Sequence, residues 1–403
     1  MKKTVYLRTL SLLLIAIILC SLTSCISYWA EQFSDKMFEF VEVEGGYEVR
    51  GTPLIFGILV TEMNIEERVL EIPSEYNGKP VVAIADEGFS KCLYAYEIII
   101  PDTVKVIGDR AFQDCMLLTK CDIPNSVTVI GDAAFKGCTC FSNVTIPESV
   151  TTIGEEAFFG TMQFMDEDTA TKILGYLMDI TPFIRTETYS VRIPASVTSI
   201  GAGAFGDTTA VNKFEVDENN TAYKAENGVL YSQDGKILVQ YPVASTDTSF
   251  TVPDGVENIE KYAFAEANHL KGIIISTDSN LTIVGDFAFV SCESIRSIYF
   301  PKSVKSIGEG AISYCHELRE CTFKSSDVVL GAKLWEQCTF LDEMYYAGTV
   351  EQMTKYLDAQ NFDHSRLYIL NIHCSDGTIY LDSDGTYDVI MIPTLPNYPY
   401  ESN

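Results

Sequence analysis

The chain of 403 residues carries twelve cysteines, and their spacing sets the first chemical question. Cys92, Cys115 and Cys138 recur every 23 residues, and Cys292, Cys315 and Cys338 repeat that interval. Thiols at such positions can bind zinc, form disulfides or act as nucleophiles. Zinc needs paired CxxC or Cys/His spacing, which is absent. Disulfides between adjacent turns of a repeat fall inside the permitted Cα separation, but inward side chains that run parallel are poorly aimed at one another. The pattern therefore reads as columns of small buried thiols that close each turn. Cys121 and Cys321 fall on strand core positions and read as apolar substitutes.

Other reactive types are sparse. His269, His316, His364 and His373 are the only histidines; none forms an HExxH and none lies in a triad motif, so they read as loop or cap residues. No GxGxxG or GxxxxGK[ST] precedes a helix, and no cofactor is implied. Asp382-Ser383-Asp384-Gly385 resembles a fragment of a calcium loop but lacks the remaining ligands and the terminal Glu. Asp109, Asp132 and Glu155 recur at one repeat position and read as solvated turn residues. Glycoside hydrolysis needs two carboxylates at a defined separation across a cleft; acids are plentiful here, but nothing isolates a pair. The formal charge of −28 repels nucleic acid and anionic lipid headgroups.

The elements that position these residues repeat. Residues 101–115 read PDTVKVIGDRAFQDC, 124–138 PNSVTVIGDAAFKGC, 147–161 PESVTTIGEEAFFGT, 194–208 PASVTSIGAGAFGDT and 301–315 PKSVKSIGEGAISYC. A fixed period in this range is the signature of a solenoid. Each unit starts with a short strand, as in Leu118-Thr-Lys-Cys121-Asp-Ile123-Pro124, whose alternation buries one face and whose Pro ends the pairing. The second half sends Val127, Ile130, Ala134 and Phe135 inward. Its Gly (108, 131, 154, 201, 285, 308) permits a turn or a backbone approach that a Cβ would obstruct. Strands one turn apart can pair in parallel along the axis, about 4.8 Å per step, and one turn alone cannot bury enough surface to offset its ordering.

These motifs, IPxSVTxIGxxAFxxC and the strand before it, resemble the BspA-like, or Treponema-type, leucine-rich repeat family over about residues 76–346. The resemblance implies a β/α solenoid with a parallel sheet on its concave side, and kinship with bacterial surface proteins, some of them adhesins. Nine turns fit, centred on Ile84, Ile107, Ile130, Ile153, Ile200, Ile259, Val284, Ile307 and Leu330.

The solenoid needs closed ends. Residues 38–75 read as amino-terminal cap strands and 347–381 as a carboxy-terminal cap, with a short helix started by Thr349 and a strand ending at His373-Cys374; 382–403 reads as a tail. Two insertions interrupt the period. Near 160–193, the segment 166–183 has a helical apolar stripe, either a degenerate turn or an excursion. Near 217–252, NGVLYSQDGKILVQYP (227–242) carries a hairpin signal around Gln233-Asp234-Gly235. Both are expected at the surface. Residues 1–24 have a basic start and an apolar core too short to span a membrane. They end in Leu22-Thr23-Ser24-Cys25, which resembles the lipobox of bacterial lipoproteins. That resemblance implies cleavage before Cys25 and a lipid anchor there, with 25–37 as a tether.

The candidate binding surface is the outward face of the strands. Counting from the core positions leaves exposed triplets, among them Thr119/Lys120/Asp122, Arg296/Ser297/Tyr299, Arg319/Glu320/Thr322 and Asp342/Glu343/Tyr345. Lys271, Arg296 and Arg319 fall in one column on successive turns, an uneven use of scarce cations. Tyr299 and Tyr345 fall in a neighbouring column, and Arg and Tyr are favoured interface anchors. The competing reading is that charges on a β-surface only keep it soluble. The function expected is a surface-anchored lipoprotein without catalysis, a recognition or adhesion module for host or bacterial proteins or glycans. A cell-wall or carbohydrate-processing enzyme is the alternative class. A transport-substrate receptor fits less well still, because it would need two α/β lobes around a ligand.

Overall fold

The computed structural model describes residues 37–52, 68–92, 95–141, 144–163, 186–360, 370–382 and 386–391. Cys25, the apolar amino terminus, the helix expected within 166–183 and the final PTLPNYPYESN lie outside the described residues.

Each repeat folds as one turn of a parallel β-solenoid, and the turns stack in register. The Val-Ile pair of the second half forms a two-residue strand. Val106–Ile107, Val129–Ile130, Thr152–Ile153 and Ser199–Ile200 pair successively in parallel. Asn258–Ile259, Ile283–Val284, Ser306–Ile307 and Val329–Leu330 do the same. These short strands form the long continuous ladders of the molecule. The first-half strands ladder only in pieces: 97–99 with 120–122, 189–193 with 211–216, 249–251 with 272–274, and 297–300 with 320–323 and 343–346. Residues 144–146, expected in a strand, have none.

Glycine explains the continuity. A Cβ on Gly131 would lie 2.5 Å from Asp109 Oδ1 and 2.7 Å from the Asp109 nitrogen. Only glycine lets the next turn settle this closely, and the Gly131 N–H then donates to Ile107 O at 2.8 Å. The residue two positions later turns the chain with a positive φ, as at Arg110 (54°), Ala133 (52°) and Glu156 (53°).

The core is a set of ladders. Phe89, Phe112, Phe135, Phe158 and Phe205 stack with ring centroids 5.2–5.7 Å apart, an offset-stacked geometry worth about 0.5–1.5 kcal/mol per pair beyond burial. Tyr241, Phe264 and Phe289 continue it in the second half. Ile84, Ile107, Ile130 and Ile153 form the parallel aliphatic column, all at 1% exposure or less.

The buried side chains form two clusters, and the hairpin expected at the surface lies where they meet. Its strands Val229–Ser232 and Ile237–Gln240 pair antiparallel, preceded by Tyr223–Glu226. Leu230 and Val239 pack into the first cluster; Val229, Tyr231 and Leu238 pack into the second. Leu238 also pairs in parallel with Ile259, so the hairpin contributes a rung between the turns centred on Ile200 and Ile259. The stack is therefore about ten turns, not nine: apolar alternation on both hairpin strands gives this insertion two faces to bury, which a surface excursion would not need.

The ends are closed by pairing. Phe38–Val43 and Gly46–Gly51 form a hairpin whose second strand pairs in parallel with Lys79–Ile84. At the other end Thr349 and Gln352 form a capping box that starts the helix Val350–Ala359. Strands Leu370–Cys374, Gly377–Leu381 and Tyr387–Met391 then extend the sheet. The last of these falls in the stretch that sequence assigns to the tail. Among the described residues, no helix is long and apolar enough to cross a membrane.

Candidate binding site

The thiols expected in columns are there, and each has a partner. Cys115 Sγ donates to Phe89 O at 3.1 Å, Cys138 to Phe112 O at 3.0 Å, Cys292 to Phe264 O at 3.0 Å, Cys315 to Phe289 O at 3.1 Å and Cys338 to Ile312 O at 2.9 Å. Each ties its turn to the one before. Thr161 and Thr208 occupy the same repeat position with hydroxyls bonded inside their own turn. The described cysteines are free thiols, and all but Cys374 are buried. Burial pushes the Cys115, Cys121, Cys292, Cys321 and Cys338 thiols far above their ordinary range and Cys374 to about 12. Nucleophilic chemistry requires the thiolate, so these groups serve packing.

The carboxylates expected as solvated turn residues are at least partly exposed and, in addition, form a ladder. Asp86 Oδ1 accepts the Asp109 N–H at 2.8 Å, Asp109 Oδ1 the Asp132 N–H at 2.9 Å, and Asp132 Oδ1 the Glu155 N–H at 2.7 Å. Asp286 and Glu309 repeat the contact at 2.8 Å. An N–H left without a partner by the tight turn recruits the acid one turn earlier, a relation invisible in a single repeat. Among the described residues, no group of three or more His, Cys, Asp or Glu is placed to hold a metal.

Two cavities lie beside the ladders. One of about 410 Å³ separates Val328, Val329 and Leu330 from Met353 and Tyr356 of the capping helix. Another of about 200 Å³ opens between Ile200 and the hairpin, lined by Tyr223, Ile237, Val239 and Glu260. Burial raises the Glu260 carboxyl, and no second acid lines that cavity, so it does not supply the paired carboxylates of glycoside hydrolysis.

The sequence-derived strip sits on the other sheet. Arg296 and Arg319 directly precede the paired strands Ser297–Phe300 and Glu320–Phe323, and the Arg319 N–H donates to Arg296 O at 2.9 Å. Lys271 holds the same place before Gly272–Ile274, which packs alongside Ser297–Phe300. All three are exposed. Arg319 lies over the Phe340 ring, 5.4 Å from its centroid. No carboxylate forms an ion pair with these three cations among the described residues. Elsewhere on the sheets Lys120 pairs with Glu97, Arg192 with Glu148 and Asp217, and Lys213 with Glu215.

The neighbouring column is more aromatic than the strip that sequence outlined. Register places Tyr299, Thr322, Tyr345 and His373 side by side. Tyr345 and His373 stack at 4.9 Å and 19°. Thr119 and Thr322, expected to be exposed, are 7% and 8% exposed; Thr119 Oγ1 turns back to Tyr96 O at 3.0 Å. Ser142 and Asn143, which the repeat count expects on that face, lie outside the described residues.

His373 is the site residue that sequence reading missed. Its Nε2 lies 2.7 Å from Glu343 Oε2, and its Nδ1 lies 3.4 Å from Thr378 Oγ1. Nucleophile, base and acid stand in relay order, yet Thr378 is 5% exposed and is not presented to a substrate. The alternation in Leu370–Cys374 is the signal that places His373 outward, but its stacking partner comes from the strand 343–346 across the helix.

Stacked turns of about 23 residues with parallel ladders define a leucine-rich-repeat solenoid. The chain belongs to the family described as BspA type leucine rich repeat region, which matches in six copies over residues 65–171, 181–228 and 244–367. No curated protein matches it. Its fold is similar to that of a leucine-rich repeat protein from Eubacterium ventriosum, at 23% identity, 78% of this chain, 77% of that chain and a TM-score of 0.51. It is also similar to the pneumococcal vaccine antigen PcpA, at 21% identity, 77% of this chain, 80% of that chain and a TM-score of 0.54.

Proposed function

We propose that this protein is a non-catalytic recognition and adhesion module displayed outside a bacterial cell. It is held to the membrane through a lipid on Cys25 and binds host or bacterial surface proteins or glycans. The observation that carries the reading is the outward sheet face at 272–274, 297–300, 320–323 and 343–346, where three exposed cations stand without ion-pair partners among the described residues, beside a Tyr and His column. A charge placed only for solubility gains by pairing with the many acids nearby; one kept unpaired is available to a ligand. Family membership and the Leu22-Thr23-Ser24-Cys25 pattern support surface display.

The test is saturable binding of the fragment 26–403 to host matrix and bacterial surface extracts, beside a glycosidase and peptidase screen on the same preparation. Binding without turnover is the expected result. Turnover of a glycan or peptide substrate replaces this reading with the enzyme alternative. In cells, labelling with a radioactive fatty acid is expected to be lost on Cys25→Ala; retained labelling rejects the anchor.

A further inference from the structure

The strip of Lys271, Arg296 and Arg319 has a geometry more particular than general stickiness. Adjacent rungs of a parallel sheet are about 4.8 Å apart, so Arg296 and Arg319 stand one rung apart along the solenoid axis, and Lys271 holds the same place on the turn before, whose strand packs against theirs without ladder pairing. Arg296 and Arg319 are hydrogen-bonded neighbours through their backbones. Like charges held on adjacent rungs repel one another, and the described residues provide no counterion. The flanks are acidic: Glu320, Asp342 and Glu343 border the row, and Glu343 is occupied by His373 and Asn371. The favourable field is therefore narrow, confined by screening to about 8 Å at physiological ionic strength.

We infer that this row receives an acidic polysaccharide, laid along the solenoid axis with carboxylate or sulfate groups meeting Lys271, Arg296 and Arg319. The inference rests on the adhesion reading and gives it a ligand class. A folded acidic protein would spread beyond the row onto a molecule of charge −28 and meet repulsion there. A single glycan chain is slender enough to stay within the row, and one pyranose unit is comparable in length to one rung. Beside the cations, the Tyr299 position and the Tyr345–His373 stack offer aromatic faces that suit the C–H faces of sugar rings. Arg guanidinium groups present planar forks that match carboxylate and sulfate oxygens.

The experiment uses the fragment 26–403 with three probes: polygalacturonate, dextran sulfate and neutral dextran. Two variants carry equal charge change, the row triple Lys271→Glu/Arg296→Glu/Arg319→Glu and the control triple Lys105→Glu/Lys302→Glu/Lys355→Glu, all at exposed positions. The milder pair Arg296→Gln/Arg319→Gln stands in if thermal melting shows that the row triple does not fold. Wild type is expected to bind at least one polyanion, more weakly as salt is raised, and not to bind dextran. Three charge contacts together make the loss in the row triple at least about tenfold, with the control triple close to wild type. The polygalacturonate and dextran sulfate arms separate a carboxylate source from a sulfate source. Absence of polyanion binding, or equal loss in both triples, overturns the inference. If a protein or neutral glycan is captured through the row while polyanions are not, the inference fails and the adhesion reading stands. If surface extracts also yield no saturable ligand, both fail.

Discussion

Lys261 Nζ lies 2.7 Å from Glu155 Oε1, a residue 106 positions earlier in the chain. The same ammonium is 2.6 Å from Glu156 Oε1, and Lys136 also pairs with Glu156. The lysine reaches past the intervening turn at Ala202-Gly203, where Gly203 leaves no Cβ to obstruct Tyr262. Burial opposes the charge on Glu156, but the hydrogen bonds from Lys136 and Lys261 outweigh it and hold its carboxyl below the ordinary range. These ions link the amino-terminal core to the carboxy-terminal one at the point where the sheet of short strands is interrupted.

Lys261→Met is expected to cost about 1 kcal/mol, because the part-buried Glu156 loses one of its two ammonium partners while keeping Lys136, and Glu155 is exposed to water. Urea denaturation monitored in both halves tests the linkage. The expected signature is separation of one transition into two; a single transition with unchanged midpoint shows that the ions contribute nothing to coupling.

Asp207 gives the junction a pH dependence. Burial, with the Glu266 carboxylate nearby, pushes its carboxyl up to about 7 from an ordinary 3.8. The folded protein thus holds a proton that the unfolded chain releases. Its contribution is fully present below about pH 4 and is lost as pH rises through 7. Asp207→Asn should therefore be more stable than wild type at pH 8, by up to a few kcal/mol, with the difference vanishing near pH 4. A difference that grows toward acid would show the opposite shift.

The close approach of turns at Gly131 makes a sharp comparison. Gly131→Ala places a methyl within 2.7 Å of Asp109 backbone and side-chain atoms, and is expected to destabilise by about 2 kcal/mol or more. Gly255, which has nothing within 4 Å of an added Cβ, should tolerate alanine or gain about 0.5 kcal/mol from a stiffer unfolded chain. Equal effects at the two sites would remove packing as the reason for glycine in the repeat.

Phe135 lies in the middle of the stacked rings, fully buried. Phe135→Ala is expected to cost about 3–5 kcal/mol, measured by chemical denaturation. Cys138→Ala removes a smaller group and one sulfur hydrogen bond, so its cost should stay near 1 kcal/mol. A cost for Cys138→Ala matching that for Phe135→Ala would mean the thiol column does more than close the turns.

Thiol labelling of the fragment 26–403 tests the redox state. In native buffer only Cys374, which is partly exposed, is expected to react, and slowly. After denaturation all ten thiols should label. Fewer than ten under denaturing, non-reducing conditions would reveal a disulfide and overturn the free-thiol ladder.

Much of the architecture was legible before any coordinates. The 23-residue recurrence of Pro, Gly, Phe and Cys gave the turn, its inward faces and its stacking direction, because one repeat's pattern is local and each position meets its own equivalent in the next. Thr349 as a helix start was legible for the same reason: a capping box is contained within four residues. The positions of Arg296, Arg319, Tyr299 and Tyr345 followed from counting along strands with alternating faces.

What only the tertiary structure decided concerns partners far apart in sequence. The period showed that Asp109 and Asp132 recur, but not that each accepts the next turn's N–H. Alternation showed the 227–242 hairpin, but not that it bridges two cores and adds a rung. Nothing in the chain near Lys261 points to Glu155, and nothing near Tyr345 points to His373 across the capping helix. Periodicity specifies contacts between equivalent positions; where an insertion interrupts the period, residues of unlike position meet, and three-dimensional packing alone selects which.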